Sequence, residues 1–137
     1  MRTTPLRKRW LRFAVLRHTG YPGRENHYDI LLEVAPGRDP DEPVMVKLES
    51  AGPLNRRELQ VVYQGLIRRR YLQYEGPMTG NRGRVRRVDQ GVYRLSGNEN
   101  VRFEGKILKG PYSFDSGSPC ESVRSVKDVG LLLREAV

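Results

Sequence analysis

The chain has 137 residues, 37% hydrophobic and 30% charged, which suits one domain able to bury roughly two-thirds of its unfolded surface. Its formal net charge is +9, and 20 of its 25 basic residues are Arg, the side chain best shaped for bidentate phosphate contacts, so a polyanion is the expected partner. The longest apolar runs, FAVL and LLL, fall far short of the ~20 residues of a membrane span, no leader-type apolar segment is present, and the single Cys120 excludes an internal disulfide or a thiolate-rich zinc site. These features predict a monomeric, cytoplasmic protein with no membrane association.

Residues 1–9 are polar and basic and read as a flexible arm. A domain spans residues 10–115, and residues 116–137 form a Ser/Gly/Pro linker and a short C-terminal helix over 126–137. Within the domain, Trp10 to Thr19 reads as a strand, followed by a loop at Gly20 to Asn26 and a second strand from His27 to Val34. In that second strand Tyr28, Ile30, Leu32 and Val34 form the core face. His27, Asp29, Leu31 and Glu33 then face a groove or the barrel interior. After an acidic turn at Pro36 to Pro43, a third strand covers Val44 to Glu49.

Asn55 with Glu58 fits an Asn version of the capping box, and Leu59, Val62, Tyr63 and Leu66 recur at helical spacing, so a helix is expected from Asn55 to about Arg69. Beyond it, Arg82 to Leu95 reads as a strand pair turning at Gln90-Gly91, and Val101 to Ile107 with Lys109 to Phe114 as a hairpin. Short strands with one main helix predict a mostly β fold, a small closed β-barrel.

Both histidines, His18 and His27, lie in the first strand pair, with Asp29 two residues after the second. If the two runs pair, His18 returns beside His27, and two imidazoles plus a carboxylate suit a divalent transition metal. Spacing alone leaves a hydrogen-bonded structural pair as the alternative. Basic residues cluster at 1–24, at Arg68 to Arg70, and at Arg82, Arg84, Arg86 and Arg87. The Arg68 to Arg70 triplet also suits the negative pole of the expected helix. Glu75 reads as a turn residue and Asp89 as a turn or ion-pair residue.

Taken together, RFAVLRH…HYDILLEV, YLQYEGPMTGNRGRVRRVDQGVYRL and VRFEGKILKGPYSF resemble one family across roughly residues 11 to 114. It is the 3′-phosphoesterase domain of bacterial DNA ligase D, and in particular stand-alone ligase-D-like proteins made of that domain only. The resemblance implies a β-barrel DNA-repair hydrolase that removes a 3′-ribonucleoside and then a 3′-phosphate from DNA or RNA-tipped DNA ends, beside separate polymerase and ligase proteins. It implies metal ligands at His18, His27 and Asp29, a manganese-type ion (Mn2+, with Zn2+ or Co2+ as alternatives) and an active-site tyrosine at Tyr71.

Three features depart from that pattern. Leu31 stands where the family has an arginine, Ile67 where it has a histidine, and the Gly20 to Asn26 connection is longer than usual. Losing such preorganised donors typically costs ~10²–10³ in rate for each group. Lys47, Arg56, Arg57, Arg69 and Arg82 are the candidates for phosphate or nucleic-acid contact. The alternative expectation is a non-catalytic nucleic-acid-binding barrel with a vestigial metal site.

Overall fold

Side-chain alternation with period two organises residues 10–95 and 100–116, the part of the chain described in a computed structural model. Eight strands form: β1 (Leu11–Thr19), β2 (His27–Glu33), β3 (Met45–Ser50), β4 (Glu58–Ile67), β5 (Gly76–Pro77), β6 (Arg84–Leu95), β7 (Asn100–Glu104) and β8 (Lys109–Ser116). Hydrogen bonding runs β1-β2-β3-β4-β8-β7-β6, and β6 returns to β1, so seven strands close into a barrel with β5 as a short rider on β6. All pairs are antiparallel except β4 with β8. The mostly β, closed-barrel expectation holds. The arm at 1–9, the C-terminal helix and Cys120 lie outside the described residues.

Alternate side chains of the strands fill the interior: Phe13 and Val15, Ile30 and Leu32, Val46 and Leu48, Leu59 and Val61, Tyr93, Val101, Phe103 and Tyr112 form one buried cluster. The core face read for β2 is therefore right. Its other face, His27, Asp29, Leu31 and Glu33, points out of the barrel rather than into it. There a second, smaller apolar cluster of Ala14, Leu16, Leu31, Met45, Leu72 and Val85 covers part of the outer surface, with Ile67 and Tyr71 packed against it.

Two element assignments are corrected. Residues 58–67 form strand β4, and among the described residues the only helical turn is a 3-10 segment at Arg69–Leu72. The helical spacing was coincidental. Leu59 and Val61 alternate into the barrel, and a register break of β4 against β3, near the positive-φ Gly65, shifts the later apolar residues. The β-branched and aromatic run VVY favours the pleated surface.

The expected turn at Gln90-Gly91 is instead the middle of the continuous 12-residue strand β6. Gly91 is there for closeness: a Cβ at this position would meet the Glu104 carbonyl oxygen at 2.1 Å.

The β7–β8 turn is tied back by Asp89. Its carboxylate accepts the backbone N–H groups of Lys106, Ile107 and Leu108 at 2.8, 3.0 and 2.7 Å. Asp89 itself lies within strand β6 rather than in a turn, buried at 4% exposure, and holds the turn of the neighbouring strand pair. Asp89→Ala strands three amide donors and should cost about 2–3 kcal/mol, read as a lower urea midpoint with unchanged slope. An unshifted midpoint would show the turn to be self-supporting.

Candidate metal centre

The β1–β2 hairpin places His18 directly opposite His27, and β2 places Asp29 opposite Glu49 of β3. All of these side chains point out of the barrel. His18, His27 and Asp29 are nonetheless buried, at 4%, 4% and 3% exposure, and their donor atoms lie within 4.8 Å of one another. The three predicted ligands converge.

Two backbone carbonyls set the proton positions. His18 Nε2 lies 2.5 Å from the Arg82 carbonyl oxygen and His27 Nδ1 lies 3.0 Å from that of Glu25. A carbonyl oxygen only accepts, so each of these ring nitrogens carries the proton. In the neutral imidazoles the lone pairs are then on His18 Nδ1 and His27 Nε2. Both lone pairs face the same carboxylate: His18 Nδ1 is 3.3 Å from Asp29 Oδ2, and His27 Nε2 is 3.3 Å from Asp29 Oδ1. His27 Nε2 and Asp29 Oδ1 are buried without a hydrogen-bond partner.

A metal ligated at bonds of about 2.0–2.2 Å holds neighbouring donors about 3–3.5 Å apart. Both imidazole–carboxylate spacings thus fit a divalent cation, as do the outer-shell carbonyls that orient each imidazole.

Charge at the site is mutually adjusted. The side-chain interaction with Asp29 raises the His27 pKa above its ordinary value, burial opposing it. Burial pushes the Asp29 carboxyl upward, but His27, Lys47 and His18 outweigh it and the pKa lies below the usual carboxylate value. Lys47 Nζ stands 4.0 Å from Asp29 Oδ2, the one predicted phosphate-contact residue in direct reach of the triad.

The Arg82 carbonyl reaches His18 because the loop runs tight against the end of β1. Gly83 there has φ +79°, and a Cβ would meet the Thr19 carbonyl oxygen at 2.1 Å. The Arg82 guanidinium itself donates to Thr79, at the carbonyl oxygen and the hydroxyl. Tyr71 is half-buried with its ring edge-on to Tyr74, on the apolar cluster beside the triad.

Arg69 turns inward. It is buried at 4% exposure and bonds Glu33, Ala35 and Asp39. Arg57 donates to the Lys109 carbonyl and lies over the Tyr112 ring, and Arg56 is exposed on the segment before β4. Leu31 and Ile67 belong to one apolar cluster. Leu31 is fully buried and Ile67 packs against the same cluster, so an apolar patch occupies the flank of the triad.

Sequence reasoning missed Glu49 and Arg24. Glu49 Oε1 lies 3.2 Å from His27 Nε2, and Arg24 pairs with the same carboxylate oxygen. A groove of about 420 Å³, lined by Arg24, Glu25, His27, Glu49 and Gln60 among others, opens onto these residues. The signal for Glu49 was present: with Val46 and Leu48 facing the core, Lys47 and Glu49 must share the face of Asp29. No known protein family and no curated protein matches the chain.

Proposed function

We propose that the protein is a metal-dependent 3′-end-processing phosphoesterase acting on nucleic acid, with activity weakened by the apolar patch at Leu31 and Ile67. The observation that carries this reading is the pair of imidazole nitrogens, His18 Nδ1 and His27 Nε2, each 3.3 Å from one buried carboxylate, with the other ring nitrogens on backbone carbonyls. When bound, a divalent ion such as Mn2+, or Zn2+ or Co2+, neutralises phosphate oxygens and lowers the pKa of a coordinated water. His18, His27 and Asp29 would hold it. Lys47, beside Asp29, adds positive charge where a phosphate would lie. Tyr71 sits on the same outer face, within reach of the apolar flank rather than of the carboxylate.

The electrostatics support a polyanionic substrate. A second groove, lined by Arg17, Thr19, Arg84 and Arg86 and by Glu75, lies on the opposite face of the β1–β6 pair. Arg17 stands directly opposite Arg86 in that pair, a like-charge juxtaposition that costs stability unless an anion lies across it. Arg84 and Arg86 are exposed, and no acidic partner contacts them among the described residues. Binding of a single-stranded or primer–template probe should therefore weaken steeply with salt, by about 0.7–0.9 log units per log salt for each phosphate neutralised. The double variant R84Q/R86Q should flatten that slope by about 1.5. A slope identical to wild type would remove this groove from the interface.

Turnover is tested on a primer with a 3′-phosphate or a 3′-terminal ribonucleotide, with Mn2+ supplied. The phosphoesterase reading expects metal-dependent release of phosphate, lost in His27→Ala. One specific observation favours the second reading, a non-catalytic nucleic-acid-binding barrel: at the positions of the family's arginine and histidine, this chain has apolar side chains, Leu31 fully buried and Ile67 partly so. Salt-dependent binding with no metal-dependent turnover on either primer would transfer the conclusion to it.

A further inference from the structure

We propose that Glu49 is a fourth protein ligand of the metal centre and that Arg24, on the loop between the two histidines, is the residue that positions it. The inference rests on the metal reading of His18, His27 and Asp29 and adds to it a second carboxylate.

Register comes first. Asp29 and Glu49 are cross-strand partners in the β2–β3 pair, so their carboxylates stand side by side on the outer face. Glu49 Oε1 is 3.2 Å from His27 Nε2, close to the 3.3 Å that separates this nitrogen from Asp29 Oδ1. His27 Nε2 thus has two carboxylate oxygens, from different strands, at the spacing of adjacent donors around one cation, about 3–3.5 Å. The nitrogen and Asp29 Oδ1 are both buried without a hydrogen-bond partner, in side chains 6% and 4% exposed. These two buried atoms mark where a ligand belongs.

Access comes next. Glu49 is 17% exposed at its side chain, against 4% for Asp29, and lines the groove that opens onto His27. Glu49 is therefore the carboxylate that stands between the buried triad and solvent, on the entry path. Arg24 bonds the same Oε1 from the outer side, and its guanidinium lies over Tyr21, whose ring in turn lies 5.8 Å from that of His18. Ligating carboxylates are commonly held by an outer-shell donor of this kind, which fixes the oxygen and offsets the excess negative charge. A set of two imidazoles and two carboxylates, with no thiolate, is of the mixed nitrogen–oxygen type that accepts Mn2+ and Co2+.

The competing account makes Glu49 only the ion-pair partner of a protonated His27. The two accounts differ in sign. An ion-pair partner holds a proton on His27 and so competes with metal; its removal would leave affinity unchanged or raise it.

The test is titration of the full-length protein with Mn2+, followed by the free-ion electron paramagnetic resonance signal, and with Co2+, followed by its visible absorption. Wild type, Glu49→Gln, Arg24→Gln and Asp29→Asn are compared, with far-ultraviolet circular dichroism confirming that each is folded. Glu49→Gln should weaken Mn2+ binding by about 100-fold and change the Co2+ band, while Arg24→Gln, acting through Glu49, weakens it by about 10-fold. Glu49→Asp, which keeps the charge at shorter reach, should fall between wild type and Glu49→Gln. Wild-type affinity and an unchanged Co2+ band in Glu49→Gln would overturn the proposal while Asp29→Asn still lost the metal. If wild type itself bound neither ion, the triad reading would fail, and Glu49 with it.

Discussion

Asp29→Asn should lose stoichiometric Mn2+ binding, weakening affinity by more than the ~100-fold typical of an outer-shell change, and should leave primer turnover at background. The substitution is nearly isosteric, so what it removes is charge and lone pairs. Asp29 is 3% exposed and is the group on which both imidazoles and Lys47 converge. An amide there offers one oxygen instead of two and turns its N–H donors toward at least one histidine lone pair. Equal Mn2+ stoichiometry in Asp29→Asn and wild type would remove the metal centre from consideration.

The same contacts fix the sign of the pH response. Protons and metal compete for His27, so Mn2+ affinity should fall as pH drops through the His27 pKa, which Asp29 holds above 6.5. With metal chelated, the raised pKa of His27 contributes stability that is fully present below pH 6.5 and lost as pH rises through the folded-state value. The lowered pKa of Asp29 contributes stability present above 3.8 and lost as pH falls through its folded-state value. Urea midpoints across this range should trace both slopes in wild type; Asp29→Asn should lose the acidic one and flatten the other, the Glu25 carbonyl and Glu49 still acting on His27.

The largest stability effect is expected away from the metal centre. Glu33, at the end of β2 and 1% exposed, binds Arg12 Nε at 3.0 Å and Arg69 Nε at 3.2 Å, and its own backbone carbonyl accepts the Tyr93 hydroxyl at 2.6 Å. Glu33→Ala leaves the buried Arg69 guanidinium with Glu42, 44% exposed and 3.5 Å away, as its remaining carboxylate, and should cost about 3 kcal/mol. Arg12→Gln should cost about 1 kcal/mol or less, because the Arg12 side chain is 42% exposed and its pair with Glu33 is screened by solvent. Glu33→Met with Arg69→Met should recover much of the loss, since a buried ion pair can be exchanged for apolar packing at little net cost. Chemical denaturation of the four proteins decides it; a Glu33→Ala loss under 1 kcal/mol would mean that Ala35, Asp39 and Glu42 satisfy Arg69 unaided.

That network also accounts for the inward position of Arg69. Composition reports that arginines are numerous, and adjacency in the chain reports that Arg68, Arg69 and Arg70 cluster. Which of the three turns inward depends on where Glu33 lies, 36 residues away. Arg68 and Arg70 remain exposed, and Arg70 pairs with Asp41.

What the sequence determined alone was whatever depends on local period. The alternation in β1, β2 and β3 set the core face, and the i, i+2 spacing placed His27 and Asp29 together. Pairing of the two neighbouring runs then returned His18 to His27. Tertiary structure decided the rest, because those features depend on contacts between segments far apart in the chain. Barrel closure through β1–β6 determined that the histidine face lies outside the core. The β3–β4 pairing drew residues 58–67 into a strand despite their helical spacing, and the close approach of Glu104 kept Gly91 inside β6. The β2–β3 register brought Glu49, 20 positions after Asp29, to its side. Local period tells a residue which face it occupies; only pairing tells it who its neighbours are.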